Sequence, residues 1–401
     1  MVLWRKDTKK FVTLHAERKK ISKFMKKLLI LALLAIVCQC GFAANKTFPL
    51  KGTIVSPTDK HILYTGRISF TNPERPTWNF PGVQIIAAFE GTSLRMIAKP
   101  KSGYFMAQID EAEPFKVAFR GDRDSVVTVA TALSDTRHTV RLMYIIEGYE
   151  FFPEFWGFVL DEGRGLVDAP ALPTRKIEFI GNSITCGYGN EGTDKFQGFE
   201  YETENHYYSY ASITARALKA QHWVVARSGI GAYRNYNGPK TGNPESNMLV
   251  QYEFTGYAWT PDLRRQPTFL KEKWDFNRYQ PDLVCINLGT NDLSTPNYDA
   301  NLLKQNYQML LKMVRQHNPK AKVVFLTGSM LYNEELKLQK QLLDEVAAEA
   351  KKAGDKEVYR FDMSPIAGDP WYGNDWHPNI PQDEKMADEL TPFLRKLMNW
   401  Y

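Results

Sequence analysis

The chain has 401 residues, 43% of them hydrophobic and 13% aromatic, which supports a sizeable buried core and excludes global disorder. The formal charge of +6 sits in the first 44 residues, which hold ten Lys/Arg against two Asp/Glu; the rest carries 41 basic and 43 acidic residues. That near-balance excludes a broad nucleic-acid footprint.

Residues 1–43 read as a leader with a secretory signal. Lys26 and Lys27 precede the apolar run LLILALLAIV, and Gly41 and Ala43 suit the positions before a cut, which predicts a mature start near Ala44. The apolar run is too short to span a bilayer comfortably. Met25 opens a conventional signal by itself, so translation starts at Met1 or Met25. The expected destination is outside the cell or the periplasm. Acylation of Cys38 or Cys40 is the alternative, and Val37 and Gln39 fit it poorly. Beyond the leader only Cys186 and Cys285 remain, too few for a disulfide framework. No CxxC or His-rich zinc pattern occurs, so neither a metal nor an organic cofactor is implied.

Residues 46–165 offer short alternating segments: HILYTGRISF, GVQIIAAFEG, SLRMIAK, YFMAQID, FKVAFR, VVTVATAL, HTVRLMYII and FWGFVLD. Their spacing, with Gly, Pro, Asp and Asn between them, predicts an antiparallel β-sandwich, jelly-roll-like. DEGRGLVDAPALPTR reads as a linker. From residue 175 to 401 strands and helices alternate. KIEFIG, HWVVAR, DLVCINLG, KVVFLTG and EVYRFD read as strands. HYYSYASITARALKA, YDANLLKQNYQMLLKMVRQH, ELKLQKQLLDEVAAEAKKAG and QDEKMADELTPFLRKLMNW read as helices. This pattern predicts a three-layer αβα domain on a mostly parallel sheet, with chemistry at the carboxyl ends of the strands.

Four short motifs fall at those ends. GNSIT follows KIEFI directly and places Ser183 at a strand exit, where a hydroxyl is exposed and a backbone N–H can join an oxyanion site. SGIGAYRNYNG follows HWVVAR, its glycines allowing the backbone to approach a ligand. NLGTND follows DLVCI and offers Asn291 as a side-chain donor; the competing role is a helix cap, which Asp292 could equally fill. NDWHPNIPQDE puts His377 on a Pro-bounded loop before the last helix. Each signal alone is weak. All four together, in the order Ser, Gly, Asn, His, resemble the SGNH (GDSL-type) hydrolase superfamily over Lys176 to the C-terminus. NLGTND is nearly the family's third block verbatim, while GNSIT has Asn182 where the family more often has Asp.

The longer stretch GNSITCGYGNEG with YETENHYYSYASITARAL, preceded by a sandwich, more narrowly resembles carbohydrate esterase family 2. That resemblance implies a secreted O-acetylesterase acting on hemicellulose-type polysaccharide such as xylan, mannan or glucomannan. It implies Ser183 as nucleophile and His377 as general base. The oxyanion donors would be the Ser183 and Gly231 backbone N–H groups and the Asn291 side chain. The family usually has an Asp three residues before the His, but here that position is Asn374. Asp375, a backbone carbonyl, or no third group remain as ways to orient His377. The spacing favours an orienter other than a charged third residue. Trp376, Trp259, Tyr257 and Tyr233 are candidates for stacking on sugar faces. The expected partner is an acetylated poly- or oligosaccharide, with no stable protein partner. Two other readings compete: an SGNH lipase or thioesterase for longer acyl chains, and an inactive glycan-binding protein. No sequence feature assigns the sandwich a role.

Overall fold

The computed structural model describes residues 50–256 and 272–401. The first part is built from short strands: β1 (Thr53–Val55), β2 (Leu63–Thr65), β3 (Gln84–Gly91), β4 (Leu94–Ala98), β5 (Gly103–Ile109), β6 (Phe115–Phe119), β7 (Val126–Ala130), β8 (Thr136–Tyr144), β9 (Phe155–Leu160) and β10 (Leu166–Val167). They form two antiparallel sheets, ordered β1-β9-β4-β7 and β10-β3-β8-β5-β6, with β2 on β3. The alternation in the sequence has its usual cause: successive side chains face opposite sides of a strand. Ile85, Ala87 and Phe89 of β3 and Val140, Leu142 and Tyr144 of β8 point into one core with Leu94, Met96, Phe158 and Leu160 of the facing sheet. The linker expected after β9 is not wholly irregular, because Leu166 and Val167 pair with Phe89 and Ala88 and close the sheet edge.

The second part carries β11 (Arg175–Gly181), β12 (Ala220–Ala226), β13 (Leu283–Asn287), β14 (Lys322–Thr327) and β15 (Val358–Asp362), all parallel, in the order β12-β11-β13-β14-β15. β13 and the last five residues of β14 are buried throughout, as a sheet covered on both faces requires. Helices α1 (Ser183–Cys186), α2 (Tyr210–Ala217), α3 (Thr290–Leu293), α4 (Ala300–His317), α5 (Asn333–Lys352) and α6 (Ile380–Met398) complete the layers. Helix α4 shows why they form. Asp299 caps it, accepting from the Asn301 and Leu302 N–H groups, and Leu303, Tyr307, Leu310, Leu311 and Val314 make a buried stripe at helical spacing. Helices α4 and α5 contribute to the core on one face of the sheet, and α2 and α6 to the core on the other. Helix α2 is shorter than its periodicity predicts: Lys219 takes a left-handed φ of 50° and the chain enters β12 at Ala220.

Both parts belong to one compact unit, Lys51–Tyr401. The outer face of the β3-containing sheet lies against α2 and the start of β12. A cavity of about 470 Å³ remains between them, lined by Gln84, Ile86, Arg141 and Met143 on one side and Arg216 and His222 on the other. Buried Arg67 reaches across from the sandwich side to the Glu178 carboxyl of β11 at 3.2 Å and to the Tyr252 and Phe254 carbonyls.

Candidate active site

Ser183 follows β11 as the first residue of α1, with Asn182 capping the turn by accepting the Ile184 N–H at 3.1 Å. The glycines that follow have a steric reason. A Cβ on Gly192 would lie 1.6 Å from the Asn374 side-chain oxygen, and one on Gly189 would lie 2.7 Å from the Asn374 Cβ. This stretch is the seat of the His377 loop: the Asn374 N–H donates to the Gly189 carbonyl and the Ile380 N–H to that of Asn190, both at 3.0 Å. Segments 194 positions apart are thereby joined, and His377 Nε2 lies 2.9 Å from Ser183 Oγ.

The tautomer follows from the other ring nitrogen. Nδ1–H donates to the Asp375 backbone carbonyl at 2.8 Å, so Nε2 carries the lone pair and accepts from the serine hydroxyl. Asp375 thus holds His377 through its main chain. Its carboxyl is turned away and accepts from the Tyr188 hydroxyl at 3.1 Å. Asn374 does not orient the imidazole either; its amide donates to the Gly198 carbonyl and to Thr203 Oγ1. The carbonyl reaches back because Asp375 and Trp376 both adopt left-handed backbone, φ 50° and 62°. Two successive non-glycine residues there cost about 1–2 kcal/mol each. Such strain recurs at functional turns. Tyr188 stacks on the imidazole, centroids 4.0 Å apart. Desolvation pushes the His377 pKa down to about 4, opposed by its hydrogen bond to the Asp375 backbone and by the Asp375 charge.

Ser183 and His377 open into a cavity of about 530 Å³ also lined by Tyr188, Ser228, Gly229, Tyr236, Thr290, Asn291, Ser294, Met330, Asp375 and Trp376. Asn291 lines the cavity. One of its amide N–H groups donates to the Ile230 carbonyl at 2.7 Å, leaving the second. Gly231 does not line this cavity: its N–H donates to Asn235 Oδ1 at 3.2 Å. The glycine here is Gly229, at φ 76°, three residues after the end of β12. The Ser183 and Gly229 N–H groups have no hydrogen-bond partner among the described residues. Tyr233 is likewise displaced. It is buried in the core, its hydroxyl accepting the Asp299 N–H at 2.7 Å, and Tyr236, 56% exposed, takes the place at the cavity. Trp376 lines the cavity and is 45% exposed, edge-on to Phe196, with the Lys195 ammonium 4.8 Å from its ring centre. Trp259 and Tyr257 lie outside the described residues.

Asp292 has a role the sequence reading left undecided. Its buried carboxyl accepts the N–H groups of Ala232, Tyr233 and Arg234, and so anchors the loop that follows Gly229 to the one that carries Asn291. Burial raises its pKa, and those three backbone donors pull the other way.

Comparison with known proteins gives this geometry its relatives. Residues 64–170 match the carbohydrate esterase 2 N-terminal family, and residues 177–390 match the GDSL-like lipase/acylhydrolase family. The chain is 34% identical over 339 residues to the cellulase/esterase CelE of Acetivibrio thermocellus, covering 84% of this chain and 40% of CelE. It therefore spans less than half of that relative. An acetylxylan esterase / glucomannan deacetylase of Cellvibrio japonicus is 29% identical over 364 residues, 89% of this chain and 95% of that protein. The solved structure of a family two carbohydrate esterase from Clostridium thermocellum, in complex with cellohexaose, superposes with a TM-score of 0.75 at 35% identity, covering 85% of this chain and all of that one. With both segments matched in this order over one catalytic geometry, the chain belongs to the GDSL-like lipases and acylhydrolases and, within them, to carbohydrate esterase family 2.

Proposed function

We propose that this protein removes acetyl groups from hemicellulose-type polysaccharide, such as xylan, mannan or glucomannan, through an acyl-enzyme on Ser183. The observation that carries the reading is the 2.9 Å hydrogen bond between Ser183 Oγ and His377 Nε2 at the edge of an open cavity. A serine hydroxyl is a weak nucleophile and needs such a base. His377 takes its proton during attack on the acetyl carbonyl and returns it to the leaving sugar hydroxyl; water then repeats the cycle on the acyl-enzyme. The negative oxygen of each tetrahedral state is held by the Ser183 N–H, the Gly229 N–H and the free N–H of Asn291. Trp376 offers an exposed ring beside the dyad for the face of a sugar. The decisive experiment is acetate release from a panel of acetylated xylan, mannan and glucomannan, run beside p-nitrophenyl esters of two and eight carbons. Turnover of the acetylated glycans with preference for the acetyl ester is expected. A strong preference for the eight-carbon chain overturns the reading in favour of a lipase or thioesterase.

The dyad makes a further prediction. Because Asp375 works through its carbonyl, Asp375→Asn retains kcat/KM within about tenfold, whereas neutralising a triad carboxylate costs about 10⁴. Asn also tolerates the left-handed backbone. The essential imidazole must be neutral, so activity rises with pH through its free-enzyme pKa. The acid limb of kcat/KM falls near pH 4 rather than 6.5 in wild type, and no higher in the variant, since the lost Asp375 charge had raised the pKa. A loss of about 10⁴-fold shows that the side chain and not the carbonyl is the orienter, and a limb near 6.5 shows that the imidazole is not desolvated.

A further inference from the structure

Glu204, in the YETENH stretch before α2, is fully buried, as is Glu147, which follows β8 in the sandwich. The two meet behind the active-site cavity. The Glu147 N–H donates to Glu204 Oε2 at 3.1 Å, and carboxyl oxygens of both residues and Cys186 Sγ lie within 4.8 Å of one another. Buried Arg227 lies over the Tyr149 ring at 3.8 Å and adds a positive charge that interacts with Glu147. Desolvation, with the neighbouring Glu147 carboxyl, pushes the Glu204 carboxyl well above its usual range.

Both oxygens of the Glu147 side chain reach Ser228. Oε1 accepts the Ser228 N–H at 2.7 Å and Oε2 accepts the Ser228 hydroxyl. Ser228 lines the cavity and immediately precedes Gly229. The peptide that carries the Gly229 N–H is therefore framed on one side by these two bonds. On the other, the Gly229 carbonyl accepts the Tyr236 N–H at 2.8 Å. Glu147 is itself fixed by its neighbours: the His206 N–H donates to the Ile145 carbonyl at 2.8 Å, and the Gly148 N–H to that of Asn79 at 2.9 Å.

We propose that Glu147 is a positioning residue supplied by the sandwich: by clamping Ser228 through both carboxyl oxygens it holds the Gly229 N–H where the oxyanion develops, and Glu204 holds the Glu147 main chain behind it. The inference rests on the esterase reading. It makes the sandwich part of the catalytic apparatus, because a carboxyl on one part of the fold sets an N–H on the other. An N–H aimed where charge develops acts on the transition state and not on ground-state substrate.

The test is Glu147→Gln, which keeps the shape but offers one acceptor oxygen instead of two, alongside Ser228→Ala and the double variant. Each is assayed on an acetyl ester and an acetylated glycan well below its own unfolding temperature. For Glu147→Gln kcat falls about 10- to 100-fold, less than the loss of a whole donor. KM changes less than twofold, and affinity for a boronic acid that forms a tetrahedral adduct on Ser183 falls in step with kcat. Ser228→Ala costs less, and Glu147→Gln costs less in the Ser228→Ala background than in wild type, as groups acting through one another require. A folded Glu147→Gln with wild-type kcat overturns the clamp while leaving the esterase reading intact. So does a raised KM at unchanged kcat, or full additivity of the two substitutions. A wild-type protein that releases no acetate overturns both.

Discussion

Ser183→Ala lowers kcat for acetate release by about 10⁴-fold or more while leaving the fold and glycan affinity in place. The size follows from what the hydroxyl does. It alone forms the covalent bond to the acetyl carbon, and without it water must attack with His377 as the only base. Ser183 is 5% exposed, and its side chain makes one hydrogen bond, to His377. Removing it strips only that bond and leaves the neutral imidazole facing a small polar gap. Residual rate over water comes from the oxyanion donors and substrate binding. Because serine and histidine act as a unit, His377→Ala loses about as much, and the double variant little more. The measurement is kcat for acetate release beside a thermal melt. A folded Ser183→Ala variant retaining a tenth of the activity removes the acyl-enzyme mechanism.

Asn291→Ala is expected to cost about 10²–10³ in kcat, the usual effect of deleting one oxyanion donor, with KM little changed. The side chain is 7% exposed, and its two N–H groups have different employment. One donates to the Ile230 carbonyl and ties the Asn291 turn to the Gly229 loop; the other is left for the oxygen of the tetrahedral state. Deletion therefore also strands the Ile230 carbonyl, at about 1–3 kcal/mol of stability if it stays buried without a partner. Asn291→Asp removes both donors at once, because both N–H groups sit on the one amide nitrogen that also meets the Ile230 carbonyl. It keeps the size but replaces the free donor with an acceptor, and its rate loss is at least as large as that of alanine. If both variants melt lower yet turn over at the wild-type kcat, Asn291 is only a brace, and the oxyanion is held by the two backbone N–H groups.

Much of this protein was legible from residue order. Alternating apolar positions announced the strands of the sandwich, since a strand shows its side chains to opposite faces in turn. Strands followed by helical periods of 10 to 20 residues announced the parallel sheet, and its strand exits located GNSIT, NLGTND and the loop bearing His377. What the sequence could not decide was which of several chemically equal neighbours faces the cavity. Gly229 and Gly231 are two residues apart in one loop, as are Tyr233 and Tyr236 within three. Only the Asp292 anchor on residues 232–234 turns Gly231 and Tyr233 inward and leaves Gly229 and Tyr236 at the surface of the site. The orienter of His377 was hidden for a similar reason. A backbone carbonyl has no letter in the sequence, and the left-handed turn that aims it is made by Asp375 and Trp376 without a glycine to mark it. Glu147 lies 81 positions before Ser228, in the other architectural part of the chain, so no local pattern links them. Local periodicity sets which elements form, because it depends on neighbours along the chain. Which atoms meet in the site depends on packing between distant segments, and that was settled only when the tertiary structure closed.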